Sequence, residues 1–330
     1  VKHLGAVFRH ALLAITLYAA GSANAAPVVC VRNPEARAAL SHLRKALRDD
    51  RFVTYEPTTL KVWNGVVSPA DAPSIRADLR VLRDKFDALV TYDAAHGAEQ
   101  IGPIAAELRF DALIIGVWNP ADDAEVAAAL AAARAYPQLV VGISLGNEAI
   151  FARRSDPATL VARVAQIRAQ APAVALTTTE PFHIYYQPGS QALLQQLDFL
   201  LVNVHPVFQP WFRDAPDSNA AQFVVNVLSQ LRPLACGPLL VKETGEPTAP
   251  AAAGYSPERQ ASFYRELRRV LTPTPAQAFA YFAAFDAPWR ASDASPAPGA
   301  HPEEAHWGLF DAARRPKPAA SELPALPAQR

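Results

Sequence analysis

The chain has 330 residues, 51% of them apolar, and its 31 basic and 31 acidic side chains cancel. That is enough apolar chain for one large core and close to the usual size of a single barrel domain. With zero net charge and no basic stripe to track a phosphate backbone, nucleic acid is excluded as the expected partner and a neutral one is favoured.

Residues 1–25 read as an export signal. Lys2 and Arg9 form its positive region, and Ala23-Asn24-Ala25 fits a small-x-small cleavage site. Residues 11–20 between them are an apolar stretch of about ten, too short to span a bilayer. The mature chain is expected to start near Ala26, periplasmic or secreted, with no stable membrane insertion after cleavage. An N-terminal core helix is the other reading of this stretch. No twin-arginine pair precedes it, and Cys30 lacks the small residue expected before a lipidated cysteine. Cys30 and Cys236 are the two cysteines. In an exported protein they either pair or remain as two buried thiols, and sequence leaves both open.

A helix is expected over residues 35–50. Eight short apolar runs follow, at 52–56, 88–92, 112–118, 139–147, 174–179, 199–205, 239–243 and 278–285. Most are nearly continuous Val, Ile, Leu and Phe, which favours parallel strands covered on both faces. Helical patterns separate them. Residues 75–86 set Ile75, Leu79, Leu82 and Phe86 at helical spacing; 125–136 is alanine-rich behind Asp122 and Asp123; 158–170 follows the cap pair Asp156-Pro157; 220–231 and 257–271 are similar. Strands alternating with helices in this way predict a single-domain (β/α)8 barrel over residues 26–317, with a doubly wound open sheet as the alternative. Residues 291–302 read as a long loop after the eighth strand, and 318–330 as a loose Pro/Ala-rich tail.

The fourth and seventh runs end on Glu148 and Glu243, each beside a glycine turn. Strand ends form the active-site face of such a barrel, and these two strands stand across its mouth from each other. A converging carboxylate pair is the equipment for cleaving a glycosidic bond. The plainer reading is that each glutamate caps a following helix. A competing motif is Gly142-Ile143-Ser144-Leu145-Gly146, a Gly-x-Ser-x-Gly pattern with Asp286 and His301 or His306 in esterase order. Against it, the apolar run continues past the serine instead of turning there. The histidines are dispersed and neither a Walker loop nor a dinucleotide fingerprint is present, so no metal and no cofactor is expected. Trp63, Trp118, Trp211, Trp289 and Trp307 all fall at or after strand ends. Flat aromatic faces suit the C–H faces of pyranose rings, and Trp289 and then Trp211 are the preferred stacking candidates, a structural role being the other reading for most of the five.

Gly146-Asn147-Glu148 with Glu243 resembles the glycoside hydrolases whose carboxylates sit on strands four and seven. Further segments sharpen this to family 17, the β-1,3-glucanases and related bacterial glucan enzymes: residues 141–148, Lys242-Glu243-Thr244-Gly245-Glu246-Pro247-Thr248, Val202-Asn203-Val204-His205-Pro206, residues 285–289, His306-Trp307-Gly308-Leu309-Phe310 and Arg315-Pro316-Lys317. The resemblance implies a retaining enzyme on a β-glucan polysaccharide or oligosaccharide, with Glu148 as acid/base and Glu243 as nucleophile. It implies β-1,3 hydrolysis first and glucanosyl transfer second. Asn147 would contact the sugar 2-hydroxyl. Tyr55 and Tyr92, at the ends of strands one and two, would orient Glu243 or bind sugar, with a plain core role as the other reading of each; Glu303 and Glu304, in the loop after strand eight, would reach a distal subsite or stand merely solvated. Two departures are Glu246, where the family usually has tryptophan, and His205, where it often has tyrosine; both positions are expected to line the sugar site. A non-catalytic glycan-binding barrel is the remaining alternative, and it predicts loss of a carboxylate.

Overall fold

The computed structural model describes residues 29–293 and 301–326. The expected export signal and most of the 291–302 loop lie outside the described residues. Eight parallel strands close into a barrel: β1 (Phe52–Thr54), β2 (Ala88–Val90), β3 (Ala112–Val117), β4 (Val140–Asn147), β5 (Leu176–Pro181), β6 (Leu200–Asn203), β7 (Leu239–Glu243) and β8 (Gln277–Tyr281). Each pairs with the next in chain order, and β8 returns to β1 at Phe52 and Ala280. That closure rules out the open doubly wound sheet. Every position of β3 and β4 is buried, which is why their apolar residues run on without alternating.

The helices are α1 (Arg37–Asp49), α2 (Ala72–Arg83), α3 (Ile101–Glu107), α4 (Asp123–Ala135), α5 (Pro157–Gln170), α6 (Gln191–Gln196), α7 (Asp217–Leu231), α8 (Pro257–Val270), α9 (Arg290–Asp293) and α10 (Pro318–Ser321). Side chains of Asp71, Asp122, Asp156 and Ser256 accept backbone N–H bonds at the starts of α2, α4, α5 and α8. Each such cap contributes about 1 kcal/mol. α3 and α6 were not visible as helical patterns, because 7 and 6 residues are too few to repeat an apolar stripe. Among the described residues no helix is long and apolar enough to cross a membrane.

Two clusters make up most of the core, and a small third one of Tyr92, Phe282, Ala283 and Trp307 stands apart from them. Of the two large clusters, one lies between strands and outer helices. The other fills the barrel floor, where α1 inserts Leu43, Ala46 and Leu47 against Phe52, Val90, Ile114, Val141, Phe199, Leu201 and Leu240. Small inward residues make room for this plug: Ala88, Ala112, Ala175, Ala278 and Ala280. Gly142 belongs to the same packing, since a Cβ there would sit 2.6 Å from the Phe199 ring.

Two connections were not foreseen. After β1 the chain makes a hairpin, Lys61–Trp63 against Val66–Ser68, turning on Asn64 (φ 49°) and Gly65 (φ 74°). Two successive left-handed residues make a type I′ turn, for which Asn-Gly is the preferred pair. The C-terminal segment corrects the expectation of a loose tail. α10 packs on α8, Ala319, Ala320 and Leu323 are buried, and the carbonyls of Leu323 and Pro324 accept bonds from Lys85 and Arg51. Composition alone hid this, because prolines and alanines can still present one apolar side to a neighbour.

Cys30 and Cys236 form a disulfide, which resolves the choice left open by the sequence. It ties the segment entering α1 to the segment entering β7, so it locks the plug into the floor. A bridge across 206 residues removes much unfolded-chain freedom. Replacing both cysteines with serine is expected to lower unfolding stability by about 2–4 kcal/mol, read as a lower urea midpoint, with a steeper slope because the unfolded chain is freed to expand. An unchanged midpoint would mean that apolar packing alone holds the plug.

Candidate active site

β4 and β7 each carry one residue more than their neighbours near the mouth. Ser144 pairs with Thr177 and Asn147 with Thr179, so three steps on β4 match two on β5. Val202 pairs with Val241 and Asn203 with Glu243, so Lys242 is the extra residue on β7. A bulge of this kind changes which way the following side chains point. Here Lys242 and Glu243, adjacent in sequence, both serve the mouth. Lys242 Nζ lies 2.8 Å from Asn147 Oδ1 and 3.9 Å from Glu243 Oε1, and 3.9 Å from the centre of the Tyr92 ring.

Glu148 sits just past β4 at φ 54°, a left-handed conformation that is uncommon without glycine. Its surroundings hold it there. Its N–H donates to Thr179 O at 2.7 Å, and the buried Glu180 carboxylate at the end of β5 accepts from Ile150 and Phe151 N–H at 2.8 and 3.1 Å. Arg154 donates to Asn147 O at 2.6 Å and stacks over Trp118 at 4.5 Å. The Glu148 carboxyl itself accepts from Asn203 Nδ2 at 2.8 Å. Across the mouth, His205 Nε2 donates to Glu243 Oε2 at 3.3 Å, and the imidazole is walled edge-on by Phe208, Phe282 and Trp307.

The two carboxyls are each 6% exposed and are driven in opposite directions. Burial and the charge of Glu243 push Glu148 up to about 7. Burial alone would also raise Glu243, but the His205 hydrogen bond and the charges of Lys242 and Arg290 outweigh it and hold Glu243 below the usual glutamate value. Burial in turn brings Lys242 down to about 8. The mouth therefore favours one protonated and one ionised carboxyl below about pH 7. Several buried polar atoms there have no hydrogen-bond partner among the described residues: Glu243 Oε1, Asn203 Oδ1, His205 Nδ1, Trp307 Nε1 and Glu304 Oε1. Buried polar groups are ordinarily satisfied, so a hydroxyl-rich ligand suits this cluster.

Of the residues expected from sequence, Asn147, Glu148, Glu243, His205 and Tyr92 meet at this mouth. Trp289 borders it, with the Arg290 guanidinium 5.8 Å from its ring. Tyr55 does not belong. Its hydroxyl donates to Asp78 at 2.9 Å, in a buried network with Thr58 and Arg314 behind β1. Strand alternation turned it to the outer core. Trp211 packs on Phe223 of α7 at 5.5 Å. Glu303 accepts from His301 at 3.1 Å, while Glu304 is the buried neighbour, 3% exposed, its pKa raised by burial against the opposing charge of Arg290. Glu246 corrects another expectation. It is fully buried beside Arg259 at 3.5 Å, pushed up to about 8 by burial, and does not line an open sugar surface.

Asn203, Lys242, Glu180 and the Arg290–Glu56 pair (3.0 Å) were not singled out from sequence. Only the bulge at Lys242 and the strand-end position of Asn203 and Glu180 could have signalled them, and register is not written in composition. The esterase arrangement is not assembled. Ser144 bonds to Thr179 inside the barrel, and Asp286 is taken by Lys317 at 2.6 Å and Gly308 N–H. Among the described residues no acidic, His or Cys cluster could hold a metal ion.

Comparison with known proteins agrees with this architecture. A glucan 1,3-beta-glucosidase of Arthroderma benhamiae is 25% identical over 261 residues, covering 75% of this chain and 84% of that protein. An active-site mutant of the Rhizomucor miehei beta-1,3-glucanosyltransferase, solved with laminaritriose, superposes with a TM-score of 0.62 at 20% identity, covering 82% of this chain and 96% of that one. An endo-laminarinase from Formosa Hel1_33_131 superposes with a TM-score of 0.64 at 20% identity, covering 79% and 83%. Residues 53–308 match the model of the BtgE/BtgC glycoside hydrolase domain. That match takes in both carboxylates and every barrel strand except the first residue of β1, and the chain is a member of the BtgE/BtgC glycoside hydrolase family.

Proposed function

We propose that this glycoside hydrolase cleaves β-1,3-glucosidic bonds with retention, Glu243 acting as nucleophile and Glu148 as acid/base. One observation carries the assignment: two carboxyls buried in one mouth, Glu148 bonded by the neutral Asn203 amide and Glu243 by His205 with Lys242 beside it, surroundings that raise Glu148 and hold Glu243 down. Glu243 attacks the anomeric carbon while the Glu148 proton goes to the leaving oxygen. Glu148, now ionised, takes a proton from water as that water displaces Glu243. Lys242 occupies Asn147 Oδ1, which leaves Asn147 Nδ2 for the sugar 2-hydroxyl. Tyr92 and His205 form the walls of the cleaved sugar's site, with Trp289 at its border. Glu303 serves a more distant position, and Tyr55 and Trp211 are withdrawn from the set.

The glucan assignment rests on the names of the relatives above and on the family 17 segments, with which we group the chain in the bacterial branch. The same glucosyl-enzyme can be intercepted by a sugar hydroxyl instead of water, so transfer is the second reading, and products separate the two. Export belongs to the proposal as well. Disulfides persist in oxidising compartments, and the pattern over residues 1–25 is that of a cleaved signal. The working unit then includes residues from about 26 through the packed segment to at least Pro324, beyond the boundary at 317 that composition suggested.

Mass spectrometry of products from concentrated laminari-oligosaccharides is expected to show shorter chains; longer chains would establish transfer. Glu243→Gln should lower kcat by about 10⁴-fold or more. Glu148→Ala should lose about 10²–10⁴-fold on unactivated substrate and regain rate with azide on an activated glucoside. Near wild-type turnover in the first variant, or no rescue in the second, removes the corresponding role.

The charges also fix the pH profile. Activity needs Glu243 ionised and Glu148 protonated, so kcat/KM should fall below the usual glutamate range on the acid side and through about 7 on the alkaline side. Lys242→Met removes a cation that keeps Glu243 ionised, so the acid limb should move to higher pH and the bell should narrow. A profile that keeps its acid limb in this variant would show that Lys242 does not govern Glu243.

A further inference from the structure

The hairpin after β1 leaves an apolar face uncovered at the rim of the mouth. Trp63 is 62% exposed and Val66, directly opposite it, 68% exposed. Residues two apart on a strand, and those facing them across an antiparallel pair, share one side of the ribbon. Lys61 and its partner Ser68 therefore lie on the same side, both exposed. Val62 and Val67 occupy the other side, and Val62 is buried. The outward face is thus an indole and an isopropyl group flanked by an ammonium and a hydroxyl. The left-handed pair Asn64-Gly65 fixes the turn, so the face does not depend on a ligand for its shape.

This ribbon is continuous with the mouth. Its first arm packs on α9, and α9 begins at Arg290. The Arg290 guanidinium bonds Glu56, at the start of the hairpin's own loop, and lies 5.7 Å from the Tyr92 ring. We propose that Trp63, with Val66, Lys61 and Ser68, is a distal subsite that stacks a glucosyl unit of a long β-glucan chain whose cleaved bond lies between Glu148 and Glu243. The apolar pyranose face would lie on the indole and the ring hydroxyls would reach Lys61 and Ser68. The proposal places this glucosyl unit beyond a trisaccharide seated at the carboxylates and within the span of a polymer. The inference rests on the β-glucan reading above and adds a chain-length dependence to it.

The test is Trp63→Ala in the full mature chain, with kcat/KM measured on laminaritriose, laminariheptaose and soluble laminarin. Trp63 is exposed, so the melting temperature should stay unchanged. Expected is a roughly ten-fold loss on the polymer, worth about 1.4 kcal/mol, a similar loss on the heptaose, and less than about a two-fold change on the triose. Equal losses at all lengths, or none at any, overturn the proposal. Affinity electrophoresis through gels carrying soluble β-glucans of several linkages separates the two levels of inference. If the wild-type chain leaves laminari-oligosaccharides intact, the β-1,3 reading fails. Retardation of Glu243→Gln in one of those gels that is lost on adding Trp63→Ala then still upholds the platform, and its absence in all of them overturns it. A dimer by sedimentation that becomes a monomer in Trp63→Ala assigns the face to a second copy of the chain and also overturns the proposal.

Discussion

Two carboxyls that feel each other's charge inside a buried mouth cannot both ionise at low cost, and the architecture around this site is organised by that constraint. The groups around Glu243, namely His205, Lys242 and Arg290, decide which one ionises. Lys242 stands beside Glu243 and is anchored by Asn147, with the face of Tyr92 beneath it. His205 adds a hydrogen bond to the same carboxylate. Glu148 receives a neutral amide, Asn203, in place of a cation. The asymmetry of the neighbours sets the asymmetry of the pair, and no metal is needed to produce it.

Strand register makes this asymmetry possible. On a regular strand Lys242 and Glu243 would face opposite sides, one into the mouth and one toward the outer helices. The extra residue on β7 relaxes that alternation, and the extra residue on β4 does the same ahead of Asn147 and Glu148. Beyond β4 the chain enters a left-handed turn that Glu180 braces from the neighbouring strand. Binding geometry at the mouth is thus a product of local backbone irregularity inside a regular barrel.

What the sequence disclosed follows from this division. The eight apolar runs read directly as strands because burial on both faces removes alternation, and the helix caps at Asp122 and Asp156 behave as their side chains dictate. Glu148 and Glu243 were legible because a charged residue ending a buried run has few places to go. Tyr55 was misplaced because its strand-end position says nothing about which side it faces. Glu246 was misplaced because its partner Arg259 comes from a helix whose packing angle no motif encodes. Lys242 and Asn203 escaped notice because their importance depends on register between strands about 40 residues apart. The pairing of the cysteines, at a separation of 206, needed three dimensions as well.

The floor plug carries an implication for how the chain acquires its structure. α1 precedes every strand, yet its seat is built from residues as late as Ala278 and Ala280. Leu43 and Leu47 therefore cannot be fully buried until the last strand is in place, and the Leu323 and Pro324 carbonyls that strap Lys85 and Arg51 arrive later still. Contacts this distant in sequence make for slow, late consolidation. α1 is made before every strand yet seated after the last of them, so a folding chain of this design carries an uncovered apolar ridge for most of its assembly.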